Sequence, residues 1–255
     1  MTSGEEGAST SGPTRTASES IAEHIRSRIA SGELQPGDML PSERVLLESY
    51  EVARPTMRET LRILESDGLI TIERGTRGGA RVVVPDLSRL ARRVGLLLQL
   101  RGTDLKELIE AQAAIQPGAA ALAARSSDRA EFERLRAAVD RCVEATSIEA
   151  LLTGLEAFSR GLMQASHNRP LVLYNELIAS LLTKALRDYA EDAGISVAEA
   201  AGVLRWVTSQ LATLVDLIEA GEAERAAQFW RDTLGRVAVA VWPDPSPFAV
   251  YPTPR

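Results

Sequence analysis

A single cysteine, Cys142, in 255 residues excludes an intramolecular disulfide framework and fits a reducing, cytoplasmic setting. Aromatic residues make up only 4% of the chain, so a core must be built from Leu, Ala, Val and Ile, which suits helix packed on helix. No apolar run reaches the roughly 18 residues of a membrane span. The opening MTSGEEGASTSGPTRTAS has no apolar segment of the secretory kind. We therefore expect no membrane partner and a disordered arm over residues 1–17. Histidine is equally scarce, His24 and His167 alone, so a three-histidine metal site cannot be assembled. No G-x-S-x-G, P-loop or G-x-G-x-x-G is present. The segment from Gly75 to Gly79 has no helix after it, so it forms no phosphate cradle, and an enzyme is not expected.

What is present is an ordinary globular balance, 45% hydrophobic and 25% charged, enough for a real core. The net charge of −6 argues against a general polyanion binder, but its distribution is uneven. Between 54 and 81 stand six arginines (54, 58, 62, 74, 77, 81) against four acids (59, 65, 67, 73). A local positive surface can sit on a weakly acidic chain, with repulsion elsewhere orienting the approach of a polyanion.

Apolar residues at 21, 25 and 29 predict a helix from Ser18 to Ala30, ended by Gly32. Gln35-Pro36-Gly37-Asp38 is a turn, and Pro41-Ser42 starts a short helix to about residue 50. After a tight break at Glu51-Val52, Met57, Leu61 and Leu64 mark the inner face of a helix over 54–67, with Gly68 placed to end it. Residues 69–73 and 80–84 alternate as strands of a hairpin whose tip, Arg74 to Gly79, is basic and glycine-rich. From residue 88 the period is helical throughout, with expected helices over 88–101, 103–126, 128–145, 148–166, 170–191, 196–220 and 222–241. Ser196 to Glu199 reads as a capping box, and Pro117 should kink its helix or interrupt its hydrogen bonds. The expected architecture is mainly α. A winged helix-turn-helix (three helices plus a two-stranded wing) over 18–85 precedes an all-α antiparallel helical bundle over 86–242, with a Pro-rich tail over 243–255.

In a winged helix-turn-helix the second helix of the pair lies in the major groove, with its N-terminal residues at base edges. Arg54 and Arg58, four apart, share one face, and arginine bonds guanine O6 and N7 in bidentate fashion. Thr56 and the first-turn amides can hold a phosphate. Arg74, Arg77 and Arg81 on the wing are candidates for the adjacent groove or backbone, while Arg62, deeper in its helix, reads as a solvated side chain. Leu34 to Arg44, Val52 to Leu61 and Asp67 to Gly75 together resemble the GntR family of bacterial regulators. The resemblance implies a homodimer on a palindromic DNA operator, with Arg44, Arg54, Thr56, Arg58, Arg74 and Gly75 at DNA-contacting positions. Two positions depart from the family pattern: Glu51 stands where Gly is usual, and Ala53 where Ser or Thr is usual. The Ala53 change removes a helix cap worth roughly 1 kcal/mol.

The second half, through Leu108 to Ala124, Phe158 to Pro170 and Ile218 to Ala227, resembles the FCD domain of the fatty-acid-regulator (FadR-type) subgroup. Many members hold a divalent metal through one Asp and three His; the matching positions are Leu155, Ser159, Leu211 and Thr233, not a ligand set. The resemblance thus implies a sensor without a metal cofactor. Gln112 and Gln116 replace the family's usual Arg and Glu. The expected effector pocket is apolar or neutral-polar, lined by Gln112, Gln116, Leu155, Ser159, Gln210, Leu211 and Thr213, for a hydrophobic effector such as a fatty acyl chain or acyl-CoA. A filled bundle core with no effector is the alternative, and an architectural DNA-binding protein without a sensor is a third reading. Trp206, Trp230 and Tyr174 read as core, and His167 as a cap or surface residue.

Overall fold

The computed structural model describes residues 15–73, 78–126, 128–192, 194 and 197–241. Among them are ten helices and one two-stranded sheet. The chain divides into two compact units between Asp86 and Leu87.

In the first unit, α1 (Ala17–Ala30) starts one residue inside the segment expected as an arm. Its cap explains the start: the Thr16 hydroxyl accepts from the Glu19 amide (3.2 Å) and the Glu19 carboxylate accepts from the Thr16 amide (2.8 Å). This reciprocal box satisfies two otherwise orphaned donors. Next come α2 (Glu43–Tyr50), α3 (Arg54–Ser66), β1 (Ile70–Glu73) and β2 (Gly79–Val82). The strands pair antiparallel, Ile70 opposite Val82 and Glu73 opposite Gly79. Ile21, Ala22 and Ile25 of α1, Leu46 of α2, Met57 and Leu64 of α3, and Ile70 and Val82 of the hairpin share one core. Thr60 is fully buried and its hydroxyl reaches the carbonyls of Thr56 (3.0 Å) and Ser18 (3.2 Å). That bond ties α1 to α3, so the orientation of α3 is fixed by a buried polar contact as well as by apolar burial.

Among the described residues the elements of the second unit are all helices: α4 (Leu87–Leu100), α5 (Leu105–Ala123), α6 (Arg129–Val143), α7 (Ile148–Ala165), α8 (Arg169–Asp192), α9 (Val197–Glu219) and α10 (Ala223–Val241). Helix α5 is central, packed against α10, α7, α8 and α9. It continues through Pro117. Pro117, Gln116, Ala119 and Ala120 are all buried, and tertiary packing on both sides of the proline holds the helix together against the lost backbone bond. The capping box at Ser196 and the tail beyond Val241 lie outside the described residues.

Small residues set the α6–α7 approach. A Cβ at Gly154 would stand 2.6 Å from Cys142 Sγ and 3.2 Å from the Cys142 backbone nitrogen. The second neighbour is backbone and cannot swing away, so Gly154→Ala should cost about 1–3 kcal/mol through overpacking. A melting curve of that variant, with and without Cys142→Ala, separates the clash with sulfur from the clash with backbone. Burial also pushes the Cys142 thiol up to about 11. It should therefore resist thiol reagents at pH 8 in the folded protein and react at the ordinary rate once the chain is unfolded.

Candidate nucleic-acid interface and ligand cavity

The first turn of α3 faces outward and carries no acidic residue. Ala53 provides no side-chain cap, and Pro55 sits in the first turn. The leading amides are thus left to an external acceptor, and the helix dipole favours an anion there. Arg54 is exposed and Thr56 half-buried. The Arg58 side chain is 68% exposed, with its Nε a loose 3.9 Å from Glu43 of α2. Arg44, on α2, is as open, its Nη1 donating to Glu48 at 2.9 Å. Exposed pairs of this kind contribute about 0–1 kcal/mol, so exchanging the carboxylate partners for phosphates costs little. Arg62 points to solvent beside Glu59 at 3.6 Å, as expected for a solvated position.

At the hairpin the expectations divide. Arg74, Gly75 and Arg77 lie outside the described residues. Arg81 is not a free wing cation: its Nε and Nη2 donate to Glu73 (2.6 and 3.1 Å) and its Nη1 to the Gly37 carbonyl (2.7 Å). The Arg81 guanidinium in turn holds the Glu73 carboxyl below the usual carboxylate range. Pairing of Thr71 with Arg81 puts residue 81 across the ladder from 71, two positions from Glu73 on the same face, which is why this arginine staples the hairpin.

The turn before α3 carries a cost. Glu51 ends α2 in the left-handed region, φ 52° and ψ 41°. For an L-residue this conformation costs about 1–2 kcal/mol, partly offset because glycine loses more chain entropy. Glu51→Gly should raise stability by about 0.5–1 kcal/mol on this balance, read as an upward shift in melting temperature; a fall would show that Glu51 makes compensating contacts.

In the helical unit a cavity of about 440 Å³ lies among α5, α7, α8, α9 and α10. Gln112, Gln116, Leu155, Ser159 and Leu211 line it, and the structure brings these five together from three helices. Gln210 and Thr213 are not brought there. Leu211 is buried, but Gln210 is turned a hundred degrees away on the same helix and bonds Ser209 Oγ, while Thr213 is exposed and bonds the Ser209 carbonyl. The rest of the wall is chiefly apolar, including Ile109, Leu152, Phe158, Leu182, Leu186 and Val207.

One polar chain crosses this apolar wall. Trp230 Nε1 donates to Gln116 Oε1 at 2.8 Å. Gln116 Nε2 donates to Gln112 Oε1 (3.2 Å) and to Ser159 Oγ (3.1 Å), and the Ser159 hydroxyl donates to Asn175 Oδ1 (2.6 Å). Two members were not foreseen: Trp230, which reads as core, and Asn175, on α8. A buried indole N–H needs an acceptor, but nothing along the chain couples residue 230 to residue 116.

The family's metal positions do not fit a metal. Leu155 and Leu211 have no donor atom, and Ser159 Oγ is already committed between Gln116 and Asn175. Among the described residues no group of three or more His, Cys, Asp or Glu is placed to hold one. His167 stands in a left-handed turn after α7 (φ 51°), with Nε2 3.2 Å from the buried Glu131 carboxylate and 3.3 Å from Ser126 Oγ.

Comparison with known proteins matches both units. Residues 17–82 match the family described as bacterial regulatory proteins, gntR family, and residues 107–236 match the FCD domain. The HTH-type transcriptional regulator LutR of Bacillus subtilis is 33% identical over 164 residues, 63% of this chain and 73% of that protein. The Glc operon transcriptional activator of Escherichia coli K12 is 31% identical over 173 residues, 64% of this chain and 66% of that one. Among solved structures, Streptococcus agalactiae GntR superposes with a TM-score of 0.60 at 17% identity, over 88% of this chain and all of that one, a likeness of fold.

Proposed function

The chain belongs to the GntR family of bacterial regulatory proteins and carries an FCD domain, and from that premise we propose that it is a repressor acting as a homodimer on a palindromic operator, released by an apolar effector held in the helical unit. Its class is that of a DNA-binding transcription regulator and not of an enzyme. One observation carries the finer reading: Arg54 and Arg58 stand exposed at the uncapped start of a helix that a complete core holds in place. They are the base-reading residues, with Arg44, Thr56 and the α3 amides holding phosphates. Arg74, Gly75 and Arg77 of the hairpin tip complete the surface by resemblance.

Support for a dimer comes from α4, whose Leu90, Leu96, Leu97 and Leu100 are exposed at 44, 40, 59 and 75% and fall on one side of the helix. Four large apolar residues on one solvent-facing stripe mark an association surface. Two recognition helices in a symmetric pair sit about 34 Å apart, one turn of DNA. The effector controls affinity only by binding the two DNA-competent and DNA-incompetent states unequally. A cavity of about 440 Å³ favours an effector site over a filled core. No helix among the described residues is long and apolar enough to cross a membrane, in keeping with a cytoplasmic regulator.

The test is selection of bound sequences from a random duplex pool, followed by sedimentation of the complex. The expected outcome is an inverted repeat bound by two chains per duplex. Enrichment of a direct repeat or of a single half-site by one chain would overturn the dimer reading. Transcription in vitro from a promoter carrying the selected site gives the sign of regulation.

A further inference from the structure

The polar chain in the cavity has a direction, and the direction selects the ligand. An indole N–H can only donate, so Trp230 fixes Gln116 Oε1 as acceptor and turns its amide nitrogen toward Gln112 and Ser159. Gln112 must then present its oxygen to Gln116. Its own amide nitrogen is left with two N–H donors. Gln112 is only 9% exposed and lines the cavity, and no acceptor among the described residues bonds that nitrogen. A buried donor without an acceptor costs free energy that a ligand oxygen recovers.

Among the described residues the wall contains no Lys, Arg or His, and the one carboxylate there, Glu156, is paired with Arg160 at 2.7 Å. An ionised ligand would lose its hydration and find neither cation nor metal to replace it. Resting on the effector-site reading above, we infer that the cavity is built for an uncharged apolar molecule carrying a hydrogen-bond acceptor, an ester or ketone carbonyl, and selects against a free carboxylate. The carbonyl oxygen lies at the Gln112 amide, and the hydrocarbon lies along Leu152, Leu182, Leu186 and Val207.

The test uses the full chain and three probes of similar length: methyl nonanoate, nonanoate at pH 8 and dodecane. Binding is read by tryptophan fluorescence, since Trp230 lines the cavity, and by calorimetry. Methyl nonanoate should bind at least about a hundredfold tighter than nonanoate, because the ion alone suffers the uncompensated desolvation. Gln112→Leu should weaken methyl nonanoate about tenfold, the worth of one buried hydrogen bond, while dodecane binds as well or better. Nonanoate binding as tightly as the ester overturns the inference, and so does an unchanged ester affinity in the variant. Dodecane binding without the ester leaves a cavity but refutes its donor. Failure of both uncharged probes overturns the effector-site reading itself. The comparison of probes on the unaltered protein decides the matter even if the variant does not fold.

Discussion

Replacing Arg54 and Arg58 together by alanine should lower affinity for the selected operator roughly a hundredfold or more, at about 1–3 kcal/mol per base-reading arginine. Both side chains are open to solvent, and neither supports the core. The variant should keep its circular dichroism and melting temperature. It should also keep weak, salt-sensitive binding to any duplex, because phosphate contacts supply the sequence-independent part of the affinity. The pattern of loss discriminates between roles. Flattened base preference means the two arginines read bases; a uniform loss with a shallower salt dependence means they hold phosphate. Unchanged affinity and preference would move the recognition surface off α3 altogether. Anisotropy titrations against the selected site and a scrambled duplex, at two salt concentrations, give all these readings.

Phe158→Ala should destabilise the helical unit by about 3–5 kcal/mol, the usual cost of removing a buried aromatic. Phe158 is 2% exposed and its ring centroid lies 6.1 Å from that of Trp230, at 56°. The loss therefore has two parts: the apolar surface of the ring itself, and the support that holds the indole N–H on Gln116. For a unit of this size the shift in melting temperature should be of order 10 °C. Tryptophan fluorescence reports it cleanly, since residues 206, 230 and 242 all fall in the second unit. The variant should also red-shift the emission of the buried Trp230, but by less than full unfolding does. An unchanged melting temperature would show that the helices do not close around this ring.

These two expectations differ in how far the sequence alone could carry them. The arginines of α3 are local features. A turn, a start signal and an apolar stripe at 57, 61 and 64 place them on the outer face of a short helix, whatever the rest of the chain does. The hairpin is as local, although the sequence could not separate Arg81 from the wing cations. Its engagement with Glu73 and the Gly37 carbonyl depends on strand register and on a loop that returns beside it. In the helical unit, element boundaries were legible to within a few residues for the same reason: links and caps are short-range signals. Pro117 removes a backbone bond whatever surrounds it, and only burial against neighbouring helices lets α5 continue past it.

The cavity was only partly legible. Gln112, Gln116 and Ser159 enter the expected pocket through the FCD resemblance, and they do meet. Gln210 and Thr213, placed in the same expected pocket, lie on another side of α9. The leucines and valines that form most of the wall cannot be told from core residues, because lining a cavity and filling one require the same side chains at the same helical spacing. The sequence by itself determined the helical architecture after a small hairpin and the outward arginines, since each follows from periodicity or from neighbours a few residues apart. Only the tertiary structure decided that five helices leave a cavity between them, and that Trp230 turns Gln116 so as to leave the Gln112 amide donating into it. Those facts depend on contacts across as many as 114 residues of chain, where helical periodicity specifies which face is buried but not what it is buried against.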